Sequence, residues 1–247
     1  MSRFRKESVG DIYHVMSRGN GRQLIFEDDN DRQFFLYKLQ GCLVDAHLDL
    51  YAWCLMGNHF HLLVRGDKES LSRCMHRVCS VYARRFNAKT GHVGHLFQDR
   101  FKSEPINDES YLLTVVRYIH KNPEKGGLAP METYKWSSYH EYVGLPSLCE
   151  VDFVLDIFGG RENFRLFHEA KQESECSLTN SEEKPYVSDD DVRKLAQTLL
   201  SPVSLGAIIR LPQSERDASL RTLKAAGLSV RKIELLTGIG RNTICRA

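Results

Sequence analysis

One run of the sequence, at residues 48–65, reads LDLYAWCLMGNHFHLLVR. It contains two apolar segments, 48–55 and 58–65, and only Met56 and Gly57 separate them. Two short apolar segments with so brief a connection predict a pair of strands in a β-hairpin. The rest of the fold is predicted by working outward from this hairpin.

The second strand of the hairpin carries a pair of histidines. His59 and His61 are two residues apart, so both point to one face of the sheet and Phe60 points to the other. Neutral imidazole is a common ligand of divalent ions, and two ligands favour an open site that also binds water or substrate oxygens. The alternative is a pair of histidines that only form hydrogen bonds within the sheet.

Strand-like and helix-like segments alternate around the hairpin. We predict a strand at 11–18, a helix from Asp29, a helix at 69–88, a loop and strand at 91–106, and a helix at 108–122 that ends before Pro123. This order of elements predicts an α+β fold with a ferredoxin-like antiparallel sheet and helices on one face.

The net charge of +2 over 247 residues hides an uneven distribution. Residues 1–149 carry +3, residues 150–191 carry −8 and residues 192–247 carry +7. A strongly basic segment favours a nucleic-acid partner, because phosphates attract it. We expect three parts: a main body with a helical extension at 1–149, an acidic extension and linker at 150–190, and a basic helical domain at 191–247.

The composition argues against membrane and secreted classes. The mean hydropathy is −0.38, and we find no apolar run of the roughly 18 residues that a membrane span needs. The first ten residues, MSRFRKESVG, lead into no apolar stretch of the kind found in a signal peptide. The seven cysteines form no CxxC pair. These features predict a reduced, cytoplasmic protein.

The helix at 108–122 offers a second set of reactive groups. Tyr118 and Asn122 are four residues apart and share one helix face, with Tyr111 near it. A phenol beside an open metal site is a candidate nucleophile, and the Asn122 oxygen is a hard ligand suited to Mg²⁺ or Mn²⁺. The alternative is an ordinary amphipathic helix with a tyrosine at its edge.

Five ordered segments together resemble a known family. They match the REP-associated tyrosine transposases, a branch of the single-tyrosine HUH transposase superfamily, across about residues 10–145. The segments are YHVMSRGNGRQLIF (13–26), MGNHFHLLVR (56–65), GHLFQDRFKS (94–103), RYIHKNPEKGGL (117–128) and YKWSSYHEYVG (134–144). The sequence departs from the family pattern at Gly57, where a proline is usual, and at 124–126.

The resemblance implies a function and a site. Tyr118 would be the catalytic tyrosine, and His59, His61 and Asn122 would hold Mg²⁺ or Mn²⁺. The enzyme would cleave single-stranded DNA near hairpin repeats through a 5′-phosphotyrosine intermediate and rejoin strands without ATP. It would act in the cytoplasm on the nucleoid. A monomer is favoured, although some relatives exchange the tyrosine helix within a dimer.

Several basic residues of the body are candidates for DNA binding. Phe97 and Phe101 alternate with two of them, which would allow stacking on bases or, alternatively, packing in the core. The candidates for phosphate contacts are Arg18, Arg22, Arg84, Arg85, Arg100 and Lys102.

The basic C-terminal segment resembles a helix-turn-helix. In GLSVRKIELLTGIGRNTICRA (227–247), Gly238 would form the turn, and Arg241, Asn242 and Thr243 would begin the recognition helix. These side chains suit base edges or phosphates of duplex DNA. The alternative is a small helical bundle that docks on the body.

Two other functions are consistent with the same residues. The chain could be a sequence-specific DNA- or RNA-binding regulator without catalysis, or a metal-dependent phosphodiesterase that only hydrolyses. The complete set of histidines, tyrosine and asparagine favours strand transfer over both.

Overall fold

The computed structural model describes residues 8, 10–170, 196–226, 228 and 230–247. In the body, strands Ile12–Arg18 (β1), Asp49–Leu55 (β2), His59–Arg65 (β3) and Lys102–Ile106 (β4) alternate with helices Asp29–Asp45 (α1), Lys68–Thr90 (α2) and Glu109–Lys125 (α3). Three short helices follow, at Tyr139–Val143 (α4), Asp152–Phe158 (α5) and Arg161–Glu169 (α6). The C-terminal part contains a 3-10 helix at Leu205–Arg210 and helices Gln213–Ala225 (α7), Val230–Thr237 (α8) and Arg241–Arg246 (α9).

Aspartate caps begin the three long helices of the body. The side chain of Asp28 accepts a hydrogen bond from the backbone N–H three residues later, and Asp67 and Asp108 do the same. Each cap satisfies one N–H that the first helical turn leaves without a partner. Helix α2 ends at Gly91, whose φ of 69° places it in the left-handed region.

The four strands form one antiparallel sheet in the order β2-β3-β1-β4. Strand β1 pairs with both β3 and β4, and Met16 lies opposite His61. The arrangement confirms the α+β fold and the ferredoxin-like sheet predicted from the hairpin.

The helices cover both faces of the sheet. The Phe60 ring lies 4.8 Å from Phe35 of α1, whereas the neighbouring His59 contacts Asn122 of α3. Since adjacent residues of a strand point to opposite faces, α1 and α3 lie on opposite faces. The prediction of helices on one face therefore needs correction for α3. All residues of β3 except Arg65 are buried, so the strand is covered on both faces.

Helix α3 continues through Pro123 to Lys125 rather than ending at Asn122. A proline removes one backbone donor, a modest loss in the final turn of a helix. The turn closes because Gly126 N–H donates to the Asn122 carbonyl, 2.9 Å away. Asn122 is thus held inside the helix rather than at a frayed end.

The main body extends beyond the predicted boundary at residue 149. Val154, Leu155, Phe158 and Phe164 are buried in the same hydrophobic core as the sheet. The acidic residues of this part of the predicted acidic extension lie on the outer faces of α5 and α6. Residues 171–195, which complete the predicted linker and begin the basic domain, lie outside the described residues.

The C-terminal segment has a hydrophobic cluster of its own. Leu220, Leu223, Ile233 and Ile244 are fully buried within it. Gly238, with φ of 71°, makes the turn between α8 and α9 in a conformation that favours glycine. Among the helices of the described ranges, none has the length and hydropathy to cross a membrane.

A buried chain of neutral side chains joins α6 to α3 and β2. His168 Nδ1 lies 2.8 Å from the Phe164 carbonyl, which can only accept, so this nitrogen carries the proton. His120 Nδ1 then donates to His168 Nε2 over 3.0 Å, and His120 Nε2 accepts from the Ser138 hydroxyl over 2.8 Å. Ser138 Oγ also accepts the backbone N–H of Trp53. His120 therefore has a structural role away from Tyr118.

We predict that His168→Gln makes stability less sensitive to acid. Burial lowers the pKa of His168 from 6.5 to about 3. Above pH 6.5 both states are neutral, but between pH 6.5 and 3 only the unfolded state binds the proton. Stability is therefore lost as the pH falls, by about 1.4 kcal/mol per pH unit for this one group.

The measurement is urea unfolding of the full chain between pH 7 and pH 4. His168→Gln should reduce the slope of stability against pH by about one proton, or about 1.4 kcal/mol per pH unit. The control is His76→Gln, because His76 is exposed on α2 and should leave the slope unchanged. An unchanged slope in His168→Gln would contradict the prediction.

Candidate active site

Strand β3 and helix α3 bring the four predicted site residues together. His59 Nε2 lies 3.2 Å from Asn122 Oδ1, and the Tyr118 ring stands perpendicular to the His61 ring with centroids 5.4 Å apart. Tyr118 and His59 are each 2% exposed, while His61 and Asn122 are fully buried. The histidine pair predicted from the strand period and the tyrosine and asparagine predicted from the helical spacing thus lie in one site.

The turn before β3 fixes the orientation of His59. Asn58 Oδ1 lies 2.7 Å from His59 Nδ1, and Asn58 Nδ2 donates to the Arg22 carbonyl over 3.4 Å. The Asn58 carbonyl accepts the N–H of Gly19 at 2.8 Å. The loop after β1 therefore fixes the position of Asn58 by hydrogen bonds, and Asn58 in turn orients the His59 imidazole.

A third buried histidine, His14 of β1, joins the pair. Its Nε2 lies 2.9 Å from His61 Nδ1, and its ring centroid is 6.0 Å from that of Tyr118. Sequence reasoning assigned no role to His14. The only signal for it was the pairing of β1 with β3, which brings residues 14 and 61 to the same face of the sheet.

Burial favours the neutral form of two histidines at this site, His14 and His61. It lowers the pKa of His14 from 6.5 to about 3. Burial also lowers the pKa of His61 well below 6.5, with smaller effects from His14, His59 and Arg18. Neutral imidazole is the form that binds a metal ion.

Lys125 places a cation beside the candidate nucleophile. Its Nζ lies 4.8 Å from the centroid of the Tyr118 ring. Tyr118, Asn122 and Lys125 follow at intervals of four and three residues along one stripe of α3. The helical spacing that places Tyr118 and Asn122 on one face also predicts Lys125 on that face.

The donor atoms fit an open site for a hard divalent ion. His61 Nε2 and Asn122 Nδ2 are buried, and neither has a hydrogen-bond partner among the described residues. A buried imidazole nitrogen without a partner is available as a metal ligand. Over the described ranges, no group of three His, Cys, Asp or Glu residues could hold a metal ion, so the third ligand would be the Asn122 oxygen.

Residues 9–122 match a protein-family model described as "Transposase IS200 like". The match begins just before β1 and ends at Asn122, so it includes every residue of the site except Lys125. These residues form an IS200-like transposase domain. The domain therefore belongs to a class of enzymes that process DNA.

The chain is similar to part of two solved structures. One is a REP-associated tyrosine transposase bound to a REP hairpin, with 20% identity, 58% of this chain and 86% of that chain covered, and a TM-score of 0.46. The other is a crystal structure named as a transposase from Deinococcus radiodurans R1, with 17% identity, 49% and 97% coverage, and a TM-score of 0.33. No curated protein matches the chain. The assignment of the transposase domain rests on the family match.

Three of the basic residues predicted to bind DNA line one cleft of the transposase domain. Arg18, Arg100 and Lys102 surround a cavity of about 120 Å³. Arg18 lies opposite His59 across the β1–β3 pair, so the cleft begins beside the histidine pair. Arg22 lies in the loop whose carbonyl binds Asn58. These four residues surround the site on one side.

The structure does not bring the other basic residues of the domain to this site. Arg84 and Arg85 are exposed on α2, which covers the opposite face of the sheet, and the Arg85 guanidinium lies 4.2 Å from the Phe34 ring. Phe97 packs 6.3 Å from Phe60, and Phe101 is 8% exposed. The two phenylalanines therefore serve mainly as core anchors.

The predicted recognition residues begin α9 in the C-terminal segment. Arg241 Nε donates to Glu234 Oε2 over 2.7 Å, so this guanidinium already has a partner. Asn242 is exposed, and Thr243 is partly buried. Of the three, Asn242 is the most open to a ligand.

We predict that Asn58→Ala loosens the transposase domain around His59. The change removes the acceptor beside His59 Nδ1 and the donor to the Arg22 carbonyl, and leaves buried polar atoms unpaired. We expect a loss of about 1–2 kcal/mol in the free energy of unfolding, measured with urea.

The matched control is Asn163→Ala on α6. Asn163 is exposed and donates only to the nearby Gly159 carbonyl, over 3.3 Å. Its replacement should change stability by less than about 0.5 kcal/mol. Equal effects of the two variants would contradict a specific role for Asn58.

Proposed function

We propose that the chain is a metal-dependent endonuclease and strand transferase for single-stranded DNA, of the REP-associated tyrosine type. The observation that carries the proposal is the placement of Tyr118 against the His59–His61 pair, with Asn122 one helical turn further on. A nucleophile, two imidazoles and an amide oxygen in one buried site suit phosphoryl transfer. The five-segment resemblance to this branch supports the choice of substrate.

In the proposed reaction, Tyr118 Oη attacks a DNA phosphorus in line with the bond to the 3′-oxygen. The new bond is a 5′-phosphotyrosine ester, and the bond that breaks is the P–O3′ bond. The tyrosine loses one proton, and the departing 3′-oxygen gains one. Because the ester conserves the bond energy, another 3′-hydroxyl can attack it and rejoin the strand without ATP.

The side chains of the site have separate roles. His59 Nε2, His61 Nε2 and Asn122 Oδ1 would hold Mg²⁺ or Mn²⁺, which supplies charge neutralisation to the phosphate when bound. Burial lowers the pKa of His61, which favours its neutral, metal-binding form, and it also limits the access of competing water. Lys125 adds a positive charge beside Tyr118, which favours the phenolate that forms when Tyr118 loses its proton.

The proposed path of the substrate leads away from this site along a basic cleft. Arg18, Arg100 and Lys102 line one cleft, and Arg18 lies opposite His59 in the β1–β3 pair. Each of the three can contact a phosphate. The strand would be presented by a neighbouring hairpin repeat, as in the family that the motifs resemble. A cytoplasmic, nucleoid-associated protein fits such a substrate.

We also propose that the segment at 191–247 is a duplex-binding domain. Its separate hydrophobic cluster, its charge of +7 over residues 192–247 and the glycine turn between α8 and α9 support a helix-turn-helix. Tyr118 contacts histidines of its own chain, so the catalytic set is complete in one molecule. This arrangement supports a monomer, with a dimer as the alternative.

We predict that wild-type protein forms a covalent adduct with labelled single-stranded DNA that carries a hairpin, in the presence of Mg²⁺ or Mn²⁺. Tyr118→Phe should abolish the adduct on a denaturing gel. Tyr111→Phe is the matched control, because Tyr111 lies on the same helix and donates to Glu104 instead. It should form the adduct at a rate within about threefold of wild type, since its phenol donates to a carboxylate of β4.

The gel separates the possible functions of the chain. An adduct that persists in Tyr118→Phe would exclude Tyr118 as the nucleophile. Cleavage without an adduct would indicate hydrolysis, and binding without cleavage would indicate a regulator. Either of these two results with wild type would overturn the proposed strand transfer.

We predict a different effect for Asn242→Ala in the full chain. If α9 reads duplex DNA, this change should weaken binding to the preferred duplex by about tenfold, because one side-chain contact to a base is lost. It should leave adduct formation on single-stranded DNA unchanged. Fluorescence anisotropy measures the binding to duplex DNA. The control is Ser214→Ala, at an exposed position of α7. Unchanged duplex affinity would contradict the assignment of α9.

A further inference from the structure

His14 occupies a position that the proposed reaction does not use directly. It is fully buried on β1, and its Nε2 lies 2.9 Å from His61 Nδ1. Its ring also lies edge-on to the Tyr118 ring, at 6.0 Å between centroids. Burial of a polar side chain costs free energy unless its polar atoms are paired, so the hydrogen bond to His61 is the contact to explain.

The hydrogen bond between the two histidines can carry its proton in two ways. If His61 Nδ1 donates to His14 Nε2, then His61 keeps its lone pair on Nε2. If His14 Nε2 donates instead, the neutral His61 ring carries its proton on Nε2 and cannot bind a metal ion there. The direction of this one bond therefore decides whether His61 is a ligand.

We propose that His14 is a positioning residue that accepts the Nδ1 proton of His61 and so presents the His61 Nε2 lone pair to the divalent ion. The inference rests on the proposed metal-dependent function. Its basis is the short bond to His61 Nδ1 together with the buried His61 Nε2, which has no hydrogen-bond partner in the part of the chain that the structure describes. Outer-shell partners of this kind orient ligating histidines and fix their tautomers.

The strand on the other side of His14 favours the same direction. Glu104 of β4 lies directly opposite His14 in the β1–β4 pair, so the two side chains share one face of the sheet. Glu104 Oε2 also lies 3.2 Å from the Tyr111 hydroxyl, which donates to it. An acceptor on this face would favour a proton on His14 Nδ1, and His14 Nε2 would then accept from His61 Nδ1.

Two substitutions separate positioning from simple packing. His14→Gln keeps an oxygen that can accept the proton of His61 Nδ1, whereas His14→Leu has similar bulk and no acceptor. Isothermal titration of the full chain with Mn²⁺ should show affinity at least tenfold weaker in His14→Leu and within about threefold of wild type in His14→Gln. Thermal unfolding of each variant without metal reports whether it folds.

The second measurement needs no metal and no activity. Nitrogen-15 NMR of histidine-labelled protein, with His61→Ala to assign the signals, reports which nitrogen of His61 carries the proton. The inference expects the proton on Nδ1 in wild type and in His14→Gln, and a mixture of tautomers in His14→Leu.

Each result bears on a different statement. A wild-type His61 with its proton on Nε2 overturns the role of His14, even if a variant fails to fold. Equal Mn²⁺ affinity in wild type and His14→Leu overturns it too, as does an equal loss in both variants. A wild type that binds no Mn²⁺ but has the expected tautomer overturns the metal dependence of the proposed function instead.

Discussion

The alternation of side chains along β3 is the constraint on which the structure depends. Phe60, Leu62 and Val64 pack into the core beneath α1 and α2, so the residues between them must face the other way. His59 and His61 are thereby fixed on the α3 face. A shift of one residue in the pairing of β3 would turn the histidines into the apolar layer beneath α1 and turn Phe60, Leu62 and Val64 toward α3. The same register of β3 is thus needed to bury its apolar side chains and to place the two histidines in the site.

Much of the candidate site could be predicted from patterns within single strands and helices. The hairpin, the histidine pair and the relation of Tyr118 to Asn122 each follow from the period of a single strand or helix. The pairing of His14 with His61 could not be predicted in this way, since it depends on the register between two strands far apart in sequence. The side of the sheet that α3 covers is likewise set by tertiary packing.

Composition was a poorer guide than periodicity in the extension. Residues 150–170 are acidic on their outer surface, yet Phe158 and Phe164 lie in the main core. A count of charges averages over the two faces of a helix and misses its buried side. The neutral chain from His168 through His120 to Ser138 shows how firmly this extension is joined to α3.

Within the described ranges, buried polar atoms without a hydrogen-bond partner occur at the site. His61 Nε2 and Asn122 Nδ2 are buried without partners in the described structure, and each costs about 1–3 kcal/mol relative to a paired group. A large apolar core on both faces of the sheet offsets this cost. Both atoms belong to side chains on β3 and α3, two elements that the surrounding core holds in place.

Tyr118 lies on a helix that packs against the sheet of the same chain. This position limits the number of DNA strand ends that one molecule can hold covalently. One phenol contacts the histidine pair of each chain, and one phenol can form one phosphoester at a time. A single molecule would therefore hold one strand end, release or transfer it, and only then take a second. Any exchange between two cleaved ends becomes a sequence of events ordered in time, unless two molecules meet on the same DNA.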